Sequence, residues 1–94
     1  MKERNDQLVS SLEELIQLTR DQNETYWSSY LEDAAERCRR FNPYGLVRIQ
    51  NAFGGMGSLN DRNYPDIKTN ELFDKLIHQI YDLSKELLAE TEAT

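Results

Sequence analysis

Apolar residues recur along this chain at the spacing of a helix surface. Between Arg4 and Thr19, the residues Leu8, Val9, Leu12, Leu15 and Ile16 fall on one stripe, and Gln, Ser and Glu fill the opposite face. A second helix is predicted over 23–41, where Trp27, Leu31, Ala34, Cys38 and Phe41 form a heptad-like seam flanked by Tyr30 and Ala35. Ahead of it, "RDQNE" offers either an Asp21–Glu24 capping box or a plain Asn23 cap. "FNPYG" ends that helix and starts another. The residue before a proline avoids the α region, and proline suits a first helical turn, so Asn42 is the expected cap. Leu46, Val47, Ile49, Gln50 and Phe53 predict a short third helix, although the alternation of Val47 and Ile49 leaves a strand over 47–53 open. "SLNDRNYPDIK" reads as irregular or extended chain, with a strand over 62–68 equally open. The strongest stripe comes last: Phe73, Leu76, Ile77, Ile80, Leu83, Leu87 and Leu88, in a helix capped by Thr69 or Asn70. Beyond Ala89, residues 90–94 are expected to fray. The sum is a single all-α domain over 1–94, a small four-helix bundle with a glycine-rich loop between its third and fourth helices.

That loop, "NAFGGMGSLND", holds three of the four glycines of the chain. Gly54 or Gly55 can close the third helix in the left-handed conformation, which costs a glycine nothing. A nucleotide-hydrolase phosphate loop would need a lysine before its Ser or Thr, and Gly57 stands directly before Ser58. Successive N–H groups from Gly54 to Ser58 could nonetheless cradle a small anion near Arg48 or Arg62. The plainer expectation is architectural: missing side chains let this backbone pack closely on a neighbouring helix.

Charge narrows the range of partners. The formal net charge is −6, so the summed field repels polyphosphate and favours a cationic partner, and no nucleic acid is expected. It is unevenly spread: Arg37, Arg39, Arg40 and Arg48 share a stretch free of carboxylates, whereas the last helix carries six acidic residues against two lysines. Pairing of the arginines with Glu32, Glu36 or the acidic last helix is expected. The lone Cys38 excludes an internal disulfide, and neither a membrane-spanning run nor a signal segment is evident, which points to the cytoplasm.

The candidate chemistry is sparse. Asp74, His78 and Asp82 share one helix face, but a diiron-type bundle needs Glu-x-x-His pairs on two helices, so a solvated polar face is expected and no metal or cofactor. Cys38 with His78 as its base would need an exposed thiol, whereas Cys38 lies on the apolar seam. No acid, base and nucleophile set is recognisable, and a non-enzyme is expected. Aromatic residues and arginines anchor protein interfaces, and Trp27, Tyr30, Arg37, Arg40 and Tyr44 form the candidate contact surface, for a protein partner or a homodimer.

"FGGMGSLND", Phe53 to Asp61, resembles the signature of a family of small, acidic, uncharacterised bacterial proteins with a Gly-Gly-Met-Gly-Ser-Phe/Leu-Asn-Asp motif between a short helix and a C-terminal helix. The resemblance carries no established activity. It implies that Gly54, Gly55, Met56, Gly57, Ser58, Asn60 and Asp61 are the residues to watch. Met56 and Leu59 would lie over the core, and Asn60 and Asp61 would bond loop N–H groups. The function expected from all this is a cytoplasmic protein-interaction module, in its sharpest form one that neutralises a toxin. A small anionic-ligand binder using the glycine loop is the alternative.

Overall fold

The computed structural model describes residues 2–54 and 57–93, and its regular elements are helices: α1 (Lys2–Asp21), α2 (Thr25–Arg39), α3 (Tyr44–Asn51) and α4 (Ile67–Ala93), with a 3-10 turn at Leu59–Asp61. No strand occurs among the described residues, so both stretches left open above are not sheet. The helices form a ring of neighbours, α1 against α2 and α4, and α3 against the same two. Leu8, Leu12 and Leu15 of α1, Leu31 and Ala34 of α2, Ile49 of α3, and Phe73, Leu76 and Ile80 of α4 meet inside it with essentially no exposure. Each buried leucine of this kind contributes about 1.5–3 kcal/mol of transfer free energy.

The junctions differ from the expected caps. Asn23, at φ 60, ends α1: Asn23 N–H donates to the Arg20 carbonyl (3.0 Å) and Glu24 N–H to that of Thr19 (2.8 Å), the paired bonds of a Schellman turn. It therefore caps the C-terminus of α1, not the start of α2. No capping box forms either. Glu24 precedes α2 without a side-chain cap bond because its carboxylate is engaged by Arg62 and Tyr64, and Asp21 accepts from Gln17 (2.9 Å).

The end of α2 repeats this geometry with a less suitable residue. Phe41 takes φ 56, with Phe41 N–H on the Cys38 carbonyl (3.0 Å) and Asn42 N–H on that of Arg37 (2.9 Å). Turning left here removes Phe41 from the seam, and its ring is 61% exposed, contrary to its expected core position. Asn42 does cap α3, its side-chain oxygen accepting the Tyr44 N–H at 3.0 Å.

α3 lies on α2 at Gly45. A Cβ built there would stand 2.8 Å from the Cys38 sulfur, and 3.0 Å from both the Ala34 carbonyl oxygen and the Cys38 nitrogen. Among the described glycines, the one of close approach thus lies outside the loop. Gly54 (φ +90) and Gly57 (φ +80) have open space around a built Cβ, so their value is conformational, and the expected close packing of the loop backbone is corrected.

α4 starts earlier than expected. Asp66 accepts the N–H (2.9 Å) and the hydroxyl (2.7 Å) of Thr69, bonds that hold its carboxyl below the usual range. Thr69 is therefore the capped residue, and Asn70 instead accepts the Tyr64 N–H at 3.0 Å. The helix continues past Ala89 to Ala93.

Two substitutions test this geometry by urea unfolding. Gly45→Ala is expected to destabilise, because overpacking costs about 1–3 kcal/mol against a helix-propensity gain of at most ~1 kcal/mol. Adding Cys38→Ala should restore only part of the loss, since two of the close atoms are backbone. Phe41→Gly is expected to stabilise by about 0.5–1 kcal/mol, because relief of a left-handed residue exceeds the entropy cost of glycine. A destabilised Phe41→Gly protein would show that the exposed ring holds the corner.

Candidate functional site

The glycine loop is stitched to itself. Asn60 Oδ1 accepts the Gly54 N–H (3.2 Å) and the Ser58 hydroxyl (2.6 Å), and Asp61 Oδ2 accepts the Gly57 N–H (3.1 Å). Leu59 is fully buried, and its N–H donates to the Ala52 carbonyl at 2.9 Å, pinning the loop to the end of α3. Asn60, Asp61 and Leu59 thus occupy the places expected of them. Gly55 and Met56 lie outside the described residues.

The strand-like tail of the loop turns out to be a clamp. Glu24 accepts from Arg62 at 3.1 Å and from the Tyr64 hydroxyl, and the Tyr64 ring meets Phe73 edge to face, centroids 5.1 Å apart. Burial and the Glu24 bond both push the Tyr64 phenol well above its ordinary range. Nothing in the sequence singled out Glu24 or Tyr64 as partners, because each sits among turn residues with no periodic signal.

Of the candidate contact residues, the fold assembles Tyr30, Arg37 and Tyr44 around one shallow hollow of about 260 Å³ between α2 and α3, joined by Val47 and Arg48. Arg48 lies over the Tyr30 ring, 4.0 Å from its centroid, and the Tyr30 hydroxyl donates to the Arg48 carbonyl at 2.6 Å. Asp33 holds both cations in place, 2.9 Å from Arg37 and 2.8 Å from Arg48. Tyr44 is 70% exposed, as is Tyr26 at 68%, the latter packed 6.1 Å from the Tyr30 ring. Trp27 does not join them. At 8% exposure it belongs to the core, with Tyr26 and Tyr30 edge-on to it, and it has little surface to offer a partner. Arg40 pairs with Glu36 (2.9 Å) and does not line the hollow.

The other arginines are mostly spoken for. Arg39 pairs with Glu36 (3.5 Å) and with Glu13 of α1 (3.1 Å), and Arg20 pairs with Glu32. The acidic last helix is met by Arg4, which pairs with Glu86 and Glu90, while among the described residues the arginine run pairs with Glu36, one of the partners expected for it, and with Asp33 and Glu13. No helix among the described residues is long and apolar enough to cross a membrane.

Cys38 and His78 are not brought together. Cys38 is 1% exposed under α3, and burial pushes its thiol up to about 11; His78 lines a separate cleft on α4 and turns its Nδ1 to the Asp74 carbonyl (2.7 Å). Asp74, His78 and Asp82 form no metal-holding group among the described residues.

A family model described as a domain of unknown function (DUF6966) matches residues 20–65. The matched stretch covers α2, α3 and the glycine loop, and its two ends meet in space through the bonds of Glu24 to Arg62 and Tyr64. No curated protein and no solved structure matches the chain.

The buried thiol has a measurable signature. An unfolded cysteine loses its proton near its ordinary value of 9.0, whereas folded Cys38 keeps it to about 11. Between those values the folded state binds more protons, so stability falls as pH rises, by up to ~2 kcal/mol across the window. Denaturation at pH 8, 9.5 and 11 should show this component in the wild type and its absence in Cys38→Ala.

Proposed function

We propose that this protein is a non-enzymatic interaction module that recognises a protein partner through the α2–α3 face. The observation that carries the reading is the convergence of exposed Tyr26 and Tyr44 with Tyr30, Arg37 and Arg48, of which Tyr26, Tyr30 and both guanidinium groups are held by fixed partners instead of lying loose. Such residues supply large contact area at small entropic cost because their rotamers are already set. Beside this face, α1 and α2 frame an open trough of about 700 Å³ in which Glu13, Glu32, Asp33 and Glu36 outnumber Arg20 and Arg39. With a net charge of −6, this supports a basic partner steered by the acidic field and anchored by the tyrosines. Neutralisation of a basic toxin in a bacterial cytoplasm is the sharpest form of the proposal, and the single buried cysteine is compatible with a reducing compartment.

The anion-cradle reading has less support. Two of the N–H groups it needs, those of Gly54 and Gly57, already bond Asn60 and Asp61, and Asp61 puts a carboxylate where an anion would sit. Arg48 and Arg62 are likewise paired, with Asp33 and Glu24.

The test is affinity capture from the native host with the wild-type chain and a Tyr26→Ala/Tyr44→Ala variant, alongside light scattering. A basic protein retained by the wild type and lost by the variant, with unfolding of the free protein unchanged within about 0.5 kcal/mol, is the expected result. Salt should weaken the capture. Equal retention by both proteins, or a strictly monomeric protein that recovers nothing, would reject the reading.

A further inference from the structure

Where α3 and the start of the loop face α4, an open cleft of about 580 Å³ remains that the interaction face does not use. Phe73 and Ile77 are its buried apolar base. Phe53 and Tyr81 flank it, their rings edge to face with centroids 5.0 Å apart. A flat apolar group is the body that such a pair of rings accommodates.

The charged and basic groups at this cleft have one sign of preference. Asp74 lines it and pairs with no cation among the described residues. His78 lines it one turn further on. Its Nδ1 lies 2.7 Å from the Asp74 carbonyl oxygen, an acceptor, so Nδ1 carries the hydrogen and, in the neutral imidazole, Nε2 is the acceptor. Neither lysine nor arginine lines the cleft; the Lys85 ammonium stands over the Tyr81 ring, 5.9 Å from its centroid, and is not among the lining groups. Across from α4, Asn60 is held with its oxygen turned to Gly54 and Ser58.

We infer that this cleft binds a small organic cation, a protonated amine carried on a flat apolar body. The ring lies against Phe53 and Tyr81 over Phe73 and Ile77, and the ammonium sits at the Asp74 carboxylate with His78 Nε2 as second acceptor. A carboxylate on the same body would meet Asp74 with no counter-charge and be excluded. The preference is opposite in sign to what glycine-rich backbone alone suggests, because side chains of α4 set it.

The test uses the whole chain and a matched pair of probes, 2-phenylethylamine and 3-phenylpropionate, titrated while backbone amide resonances are followed by NMR. Saturable shifts at Gly54, Asn60, Asp74, His78 and Tyr81 with the amine, at a dissociation constant on the order of 1 mM, and none with the acid, are expected. Asp74→Asn should weaken the amine about 2–5-fold, as befits an exposed ion pair, and leave the thermal midpoint in place. Binding of the acid as tightly as the amine, undiminished amine binding by Asp74→Asn, or shifts confined to the α1–α2 trough would each overturn the assignment. So would the absence of saturable shifts at these residues. Tyr26 and Tyr44 take no part, so failure here leaves the interaction face untouched, and the reverse holds equally.

Discussion

The bundle closes where α3 lies against α2, and that contact exists because residue 45 has no side chain. With Cys38 sulfur 2.8 Å from where a Cβ would stand, any larger residue would lift α3 away from its neighbour. The same spot is tied to α1: the buried Asn5 amide donates to the Cys38 carbonyl at 3.0 Å, a second bond to an oxygen in the last turn of α2 that already accepts the Phe41 N–H. Three helices are thereby fixed at one point. The placement of α3 then decides everything beyond it. Leu46 and Ile49 go inward, Tyr44 and Val47 stay outside beside Tyr30, and Phe53 is delivered to the edge of α4.

Polar groups near this core act as position-holders. Asp33 gathers Arg37 and Arg48 onto one carboxylate, and Arg48 in turn covers Tyr30 and accepts its hydroxyl through the backbone. Gln50 reaches α4, donating to the Ser84 hydroxyl at 2.7 Å, so α3 is bonded on both flanks. Pairs this exposed add little to stability singly. Their effect is to restrict where large side chains can point, which is what turns a set of surface tyrosines into a shaped face.

The glycines divide into two physical roles that look alike in one dimension. Gly45 is small because another helix is in the way; Gly54 and Gly57 are glycine because φ is positive, with space to spare. Phe41 and Asn23 perform the same left-handed turn without being glycine. Asparagine tolerates it. Phenylalanine bears a strain of about 1–2 kcal/mol, held there by the two Schellman bonds of the corner.

Helical class, the number of helices and most of the inward stripe were legible in the spacing of Leu8, Leu12, Leu15, Leu31, Phe73, Leu76 and Ile80, because burial in a bundle demands a period near 3.6 whatever the neighbours are. The self-bonding of Asn60 and Asp61 was legible too, being a local property of short polar side chains beside glycine. Tertiary structure alone decided the rest. It left Tyr26 outside, paired Glu24 with Tyr64, and gave Gly45 the close approach that had been assigned to the loop. These are contacts between residues far apart in the chain. Periodicity reports which face of a helix is buried, but carries no information about which helix will cover it or how near it will come.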